Sequence, residues 1–377
     1  APTSNALIRD GDTETAGFQA VFGDTASGDI NDTGLGTGTL DEAFEGFVEG
    51  LNIEAIGERG VYGGNNPNDS SGAMRFVSIR HAGAAIGNAN ELNGLTMGGV
   101  GRGTLIEFIE VYANGDDGFE WFGGTVDSSY LISLHNNDDS FDIDEGYTGR
   151  GQFWFSLQLD DQLNGNHGGE HDGTDAAHDN VALLGFPGGE SSDNAGGVVP
   201  TFITVYNATY IGGGTLGNDN TDSGNNRALR VRDSFNGIYR NSIFAEHRDA
   251  PFRVNDGDNV GTLEISGSIV SGADGASFAD LAAATTGGAP AEFSLLEVTA
   301  NTTNEDPFAI RRAGDPGIPG IVPATDPVFD RSGIYNGGVG FDPRPDVAAA
   351  PSVLTGLAGV DPTFFLNVSY KGAFADN

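Results

Sequence analysis

The chain has 377 residues, of which 54 are acidic and only 17 are basic, and its formal net charge is −37. Because phosphate binding requires clustered cations, this balance excludes nucleic acid and an anionic membrane surface as expected partners. The chain has no Cys, which excludes disulfides, thiolate metal sites and a Cys nucleophile. No apolar run is long enough to predict membrane insertion.

Residues 1–60 are predicted to form an N-terminal cap. Between positions 39 and 58, apolar residues such as Leu40, Phe44 and Phe47 recur at roughly the spacing of one helical face. The cap is therefore expected to be either a helix or an irregular structure.

Residues 61–285 contain internal repeats. The stretch TLIEFIEVYANGDDGFEWFGG at 104–124 returns at 126–146 as VDSSYLISLHNNDDSFDIDEG, and other β-prone runs recur at similar or somewhat longer intervals. Short strands closed by Gly, Asn and Asp corners predict an all-β solenoid, a right-handed parallel β-helix. A β-sandwich with Asn-Gly hairpins is the competing architecture, but it does not predict residue-for-residue repetition.

The repeat places acidic residues over acidic residues in neighbouring coils, which lie about 4.8 Å apart in a parallel stack. Such pairs repel unless they splay into water, retain a proton or share a cation. A dense field of carboxylate oxygens suits Ca²⁺. The candidate calcium ligands are Asp116, Asp117, Glu120, Asp138, Asp139, Asp142, Asp144 and Glu145. A solvated acidic face is the alternative.

The aromatic residues of the repeat alternate with these acids. Phe119, Trp121 and Phe141 are expected to point inward as a core ladder. In the run Phe153-Trp154-Phe155, at least one ring faces outward if the segment is a strand. Trp154 is therefore a candidate glycan contact.

Residues 158–200 are predicted to be a polar insertion within the solenoid. It carries His167, Glu170, His171 and Asp172, which form a candidate second metal or ligand site. The neighbouring glycines argue against a helix, so solvated loop histidines are the alternative.

Evidence for catalysis is weak, and no catalytic residue is assigned. Arg230 and Arg232 alternate on one face, with Arg240 nearby. An arginine in a cleft beside Ca²⁺ would suit a polysaccharide lyase, but a structural ion pair is the simpler explanation of these arginines. No nucleophile elbow, P-loop or HExxH motif is present.

Residues 286–377 hold ten of the 15 Pro residues. Because Pro removes ladder donors, an extended segment is expected here instead of regular coils. Phe364, Phe365 and Tyr370 indicate that it packs on the solenoid or on a neighbouring molecule.

Residues 62–158 include the blocks NGLTMGGVG, DDGFEWFGGT and DIDEGYTG. On these blocks the chain resembles a group of bacterial secreted or lipoprotein-like proteins of uncharacterised function that are expected to be right-handed β-helices. The resemblance implies a secreted or cell-surface β-helix and no particular activity. The acidic, Lys-poor composition favours a saline environment.

Two kinds of function fit the sequence. The first is a calcium-stabilised, non-catalytic extracellular protein with a structural, adhesive or fibre- or surface-layer-forming role, which would self-associate through open solenoid ends. The alternative is a polysaccharide-active enzyme, a lyase or hydrolase, or a carbohydrate-binding module that uses a groove along the β-helix.

Overall fold

The computed structural model describes most of the central region and parts of both ends. The described residues are 7–8, 44–47, 61–63, 67–85, 92–144, 146–158, 165–173, 201–213, 227–232, 235–247, 251–254, 261–271, 294–303, 305, 307, 344–345, 347 and 350–375. Within these ranges no helix is long and apolar enough to cross a membrane.

The described residues form twenty strands and one short 3-10 helix, Pro351–Leu354. The strands are β1 (Leu7–Ile8), β2 (Phe44–Phe47), β3 (Val61–Gly63), β4 (Ala73–Arg80), β5 (Leu95–Gly98), β6 (Leu105–Tyr112), β7 (Phe119–Phe122), β8 (Ser128–Leu134), β9 (Phe141–Asp144), β10 (Arg150–Leu157), β11 (His167–Asp172), β12 (Phe202–Tyr206), β13 (Thr209–Ile211), β14 (Arg227–Arg232), β15 (Asn236–Arg240), β16 (Ile243–Ala245), β17 (Phe252–Val254), β18 (Thr262–Ser266), β19 (Ile269–Val270) and β20 (Ser294–Leu296).

Two parallel sheets form the body of the molecule. An eleven-stranded sheet runs from β4 through β6 and β8 to β10, where it branches into β12-β15-β18-β20 and β13-β16-β19. A six-stranded sheet runs in the order β17-β14-β11-β9-β7-β5. The chain passes repeatedly from one sheet to the other, so successive coils add layers to both. This arrangement confirms the predicted parallel β-helix, because strands of a sandwich would pair through antiparallel hairpins.

The repeats found in the sequence correspond to the strand registers of the fold. Phe119 pairs with Phe141, and Val77 lies beside Ile109, as the sequence alignment of the coils requires. The later coils follow the same rule, because β13 pairs with β16 and β16 pairs with β19. The residues that repeat along the chain are therefore neighbours in space.

The interior contains the predicted aromatic ladder. The ring of Phe119 stacks on that of Phe141 with centroids 5.5 Å apart, and Trp121 stacks on Trp154 at 5.0 Å. All four side chains are fully buried. Aromatic pairs contribute about 0.5–1.5 kcal/mol each beyond the apolar area they bury, so this ladder holds consecutive coils in register.

One corner of the solenoid has a left-handed backbone in successive coils. In the first four of these coils the corner residue is aromatic, and in the last three it is Asn or Gly. The series is Phe76, Phe108, Tyr130, Phe153, Asn207, Asn241 and Gly267, with φ between 54° and 60°. Asn and Gly adopt this conformation at little cost, whereas a bulky ring does so with strain.

Residues 350–375, which we call the C-terminal strap, pack along the outside of the later coils. The strap backbone is held by corner and neighbouring amides: the Asn241 side chain bonds both the N–H and the C=O of Ala358, at 2.7 and 3.0 Å. Gln152 and Asn207 also bond the strap backbone. An outer apolar cluster that includes Phe155 lies beneath it.

Of the two structures expected for the N-terminal cap, the helix is wrong for Phe44–Phe47. This segment is strand β2 and pairs antiparallel with β1 and β3. The pairing supplies backbone hydrogen bonds between strands, so the apolar spacing does not produce a helix here. The rest of the predicted cap and the boundaries at 60 and 285 lie outside the described residues.

Candidate functional site

A charged row runs along the outer face of the six-stranded sheet. Glu120, Asp142, Glu170, Arg230 and Arg253 occupy equivalent positions of consecutive coils, each paired in register with the next. They point outward because their strand neighbours point into the core. Three acids are therefore followed by two arginines at the spacing of neighbouring strands.

Two further acids lie at the corner that precedes this sheet. The Oδ1 atom of Asp117 accepts a hydrogen bond from the backbone N–H of Asp139, at 2.8 Å. Asp139 in turn accepts from the N–H of His167 in the next coil, at 2.5 Å. Each corner carboxylate thus binds the backbone of the following coil, which explains why both are buried.

The corner and the row together create two groups of carboxylates. Oxygen atoms of Asp117, Glu120 and Asp142 lie within 4.8 Å of one another, and so do oxygens of Asp116, Asp117 and Asp138. Oxygen atoms bound to one Ca²⁺ at about 2.3–2.6 Å lie at most about 5 Å apart. The acids predicted from the repeat are therefore brought together at distances that suit one cation.

One atom of the first group lacks a donor. The Oδ1 atom of Asp142 is buried and accepts no hydrogen bond from the described part of the chain. The amide of Asn93 donates to Glu120, so that carboxylate has one fixed partner. A buried carboxylate oxygen without a partner is costly, so a proton, a donor or a cation at this atom would be stabilising.

The pKa values of these acids are raised by their burial and by their mutual repulsion. Burial, followed by the charges of neighbouring acids, raises the pKa values of Asp117 and Asp142 well above their ordinary range. Burial also raises the pKa of Asp139, and it raises that of Asp138 to about 7. Glu120 is only 3% exposed and Asp117 only 7%, so these two carboxylates are not solvated at the surface, whereas Asp138 and Asp142 are half-buried. A proton or a cation would relieve the repulsion among them.

In the next coils, arginine side chains neutralise the buried acids. Glu170 bonds Arg230 at 2.6 Å and Arg232 at 2.5 Å, and Arg232 also forms a two-pronged pair with Asp172. Burial acts to raise the pKa of Glu170, but the charges of Arg232, Arg230 and His167 lower it below its ordinary range. Burial raises the pKa of Asp172 to about 6, and the pair with Arg232 opposes that shift.

The predicted loop around His167–Asp172 is wrong, because these residues form the buried strand β11. Its glycines are needed for close packing: a Cβ on Gly168 would lie 2.7 Å from the carbonyl oxygen of Ala228. The sequence signal was misleading because glycine-rich polar segments are more often loops.

The predicted second site is assembled in part. Ligand atoms of His167 and Glu170 lie within 4.8 Å of each other and of an oxygen of Asp139, whereas His171 and Asp172 do not join this group. His171 points into the core, where its Nε2 lies 2.6 Å from the hydroxyl of Tyr239, and burial lowers its pKa to about 4. It is therefore a neutral core residue and not a ligand beside Asp172. His167 accepts the N–H of Arg227 at Nδ1, and its Nε2 lies 3.8 Å from Glu170.

The predicted glycan contact at Trp154 is also wrong. Its ring is fully buried and stacks on Trp121 and Phe141. Phe153, at the left-handed corner, shifts the in–out alternation and turns Trp154 inward. The ring face is therefore not accessible to a sugar.

The remaining predicted residues are placed as follows. Asp144 lies on β9, on the same side of the strand as Asp142, and adds to the charge that raises the pKa of that carboxyl. Glu145 lies outside the described residues.

Arg240 pairs with Glu264 at 2.7 Å, so the structural ion-pair interpretation of the three arginines is confirmed. Sequence reasoning missed Asn93, although the run Asn93-Gly94-Leu95 aligns with Asp117-Gly118-Phe119 of the next coil.

A family model described as a pectate-lyase like beta helix domain matches residues 51–306. The chain belongs to this family. The match spans both parallel sheets and the charged row, and it supports a polysaccharide-related or structural role at the family level. No curated protein and no solved structure matches the chain significantly.

Proposed function

We propose that this pectate-lyase-like β-helix is a non-catalytic, calcium-stabilised extracellular protein with a structural or adhesive role. The observation that carries the proposal is the group formed by Asp117, Glu120 and Asp142. These carboxylates lie within 4.8 Å of one another, and one of their buried oxygens has no donor in the described chain. The proposed location is secreted or at a bacterial cell surface in a saline environment.

Calcium suits the site because each of the three carboxylates offers hard oxygens. Ca²⁺ accepts six to eight oxygens with flexible geometry, whereas transition metals favour imidazole or thiolate ligands that are absent from this group. Asp117 and Glu120 belong to one coil and Asp142 to the next. A cation there would tie two coils together and stabilise the stack by mass action.

The ion pairs of Arg230 and Arg232 argue against a catalytic role for these two arginines. Arg230 and Arg232 are bound to Glu170 and Asp172, so neither is a free proton acceptor. The acids of the row are mostly buried, which leaves little access for a polymer. An enzyme that cleaves a polysaccharide needs an accessible acid or base beside the scissile bond.

The test is calcium titration of metal-stripped protein, monitored by calorimetry and by the melting temperature. We expect saturable binding and a rise in melting temperature that EDTA reverses. Mg²⁺ at equal ionic strength is the control, and it should stabilise less because it demands stricter octahedral geometry. An unchanged melting temperature across the calcium titration would show that protons or other groups neutralise the acids.

A polysaccharide-active enzyme or a carbohydrate-binding module is the second candidate, favoured by the family match over residues 51–306. Incubation with polyuronates and neutral glycans distinguishes the two. New unsaturated products or reducing ends would support an enzyme, and retention without cleavage would support a binding module.

A further inference from the structure

Two terminal strands of the branched eleven-stranded sheet, β4 and β20, have an unpaired edge in the described part of the chain. The first strand, β4, pairs only with β6, and the last strand, β20, pairs only with β18 among the described strands. Unpaired strand edges offer rows of N–H and C=O groups to another chain. Each end of the solenoid therefore presents a template for one more coil.

Each end also presents a highly exposed apolar side chain. Phe76 on β4 is 74% exposed, and Val298, just after β20, is 71% exposed. These are the two highest values among the large apolar side chains of the described residues. Isolated exposed apolar residues are ordinary, but here both mark the ends of one sheet.

Phe76 is the free end of an outer aromatic ladder at the left-handed corner. Its ring stacks on Phe108 at 5.0 Å, Phe108 stacks on Tyr130 at 4.4 Å, and Tyr130 stacks on Phe153 at 4.8 Å. These spacings match the separation of neighbouring strands. A strand added beside β4 would therefore bring its corner residue onto the open face of Phe76.

The register shows what a second copy would bring to that position. Arg75 begins a series of equivalent positions that ends at Ser266 in the coil of β18, and the N–H of Val298 bonds the Ser266 hydroxyl at 2.8 Å. Val298 is thus the last member of the row that Arg75 begins. A copy stacked in register would place its Arg75 beside Val298 and its Phe76 beside Thr299, the next residue of the same edge.

The two ends carry different charged residues. Strand β4, AMRFVSIR, carries Arg75 and Arg80, whereas residues 294–299, SLLEVT, carry Glu297 and no base. Both arginines are paired with acids of the adjacent strand, Arg75 with Glu107 at 3.0 Å and Arg80 with Glu110. A head-to-tail contact brings Glu297 towards these ion pairs, whereas a contact between two β4 edges would bring four arginines together.

We infer that a second copy of this chain docks head to tail, with its β4 edge and Phe76 against the β20 edge and Val298 of the first. The inference rests on the structural role proposed above. A contact between unlike patches that leaves both outer ends free does not close, so it extends into a filament.

The test uses two charge-introducing variants, Phe76→Asp and Val298→Asp, in calcium-saturated buffer at high salt. Sedimentation velocity should show concentration-dependent oligomers for the wild type and monomers for each variant. An equal mixture of the two variants should form dimers and nothing larger, because one intact end of each kind remains. Leu366→Asp, on the strap and 54% exposed, is the matched control and should assemble like the wild type.

Two results would overturn the inference. One is a wild type that remains monomeric at its highest soluble concentration. The other is a Val298→Asp variant that still dimerises, which would indicate contact between two β4 edges. The melting temperature of the same variants is also measured with and without calcium. A rise with calcium in a protein that does not assemble would contradict the assembly inference and leave the calcium proposal intact. If either Asp variant fails to fold, Phe76→Ser and Val298→Thr replace them.

Discussion

Replacing Asp142 with Asn should change the stability of the protein in opposite directions with and without calcium. Carboxylate oxygens of Asp142, Asp117 and Glu120 lie within 4.8 Å of one another. Two unit charges at that distance repel by about 3 kcal/mol at an effective dielectric of about 20. In EDTA, Asp142→Asn removes this repulsion, and we expect a gain of about 1–2 kcal/mol, since protonation already relieves part of it.

In millimolar calcium the same variant lacks a charged ligand. Calcium should therefore raise its free energy of unfolding much less than it raises that of the wild type. Urea denaturation in EDTA and in calcium measures both effects. Glu264→Gln, on the eleven-stranded sheet, is the matched control. It leaves Arg240 without the acid that it contacts at 2.7 Å, and it should destabilise the protein equally under both conditions. If Asp142→Asn were less stable than the wild type in EDTA, the repulsion argument would be refuted.

Two further predictions concern pH and the strap. In EDTA the melting temperature should fall as pH rises from about 4 to about 7, because folded Asp138 keeps its proton up to a pKa of about 7 while unfolded Asp loses it near about 4. Calcium should flatten this dependence, and a metal-free melting temperature that rises with pH would contradict the assignment. Asn241→Ala should loosen the strap at Ala358, at a cost of about 1–3 kcal/mol, seen as faster proteolysis at residues 350–375 with the parallel sheets intact. Unchanged proteolysis would show that the other contacts, including the hydrogen bonds from Gln152 and Asn207, hold the strap without Asn241.

Much of the fold follows from the repeat itself. The sequence repeat aligns Phe119 with Phe141 and Glu120 with Asp142, and the structure pairs these residues in register. A parallel stack repeats each chemical environment once per coil, so self-similarity in sequence becomes contact in space. The acid-over-acid arrangement of the candidate calcium site could therefore be predicted without coordinates.

Side-chain direction was harder to predict than register. The left-handed residue Phe153 interrupts the strand alternation, so Trp154 is directed inward although a simple period of two leaves its direction open. The sequence also cannot reveal that β11 is a strand, because Gly168 and Gly169 lower its strand propensity. Only the packing of Gly168 against Ala228 explains why glycine is tolerated there.

The row on the six-stranded sheet indicates where a cation is needed and where it is not. Glu170 is neutralised by the coil that follows it, because Arg230 and Arg232 both reach its carboxylate. The row positions on either side of Glu120 and Asp142 are Thr96 and Glu170, and neither of these residues is a cation. Burial strengthens the charge interactions at both places. The coils whose row position lacks an adjacent arginine are thus the ones at which bound calcium would contribute most to stability.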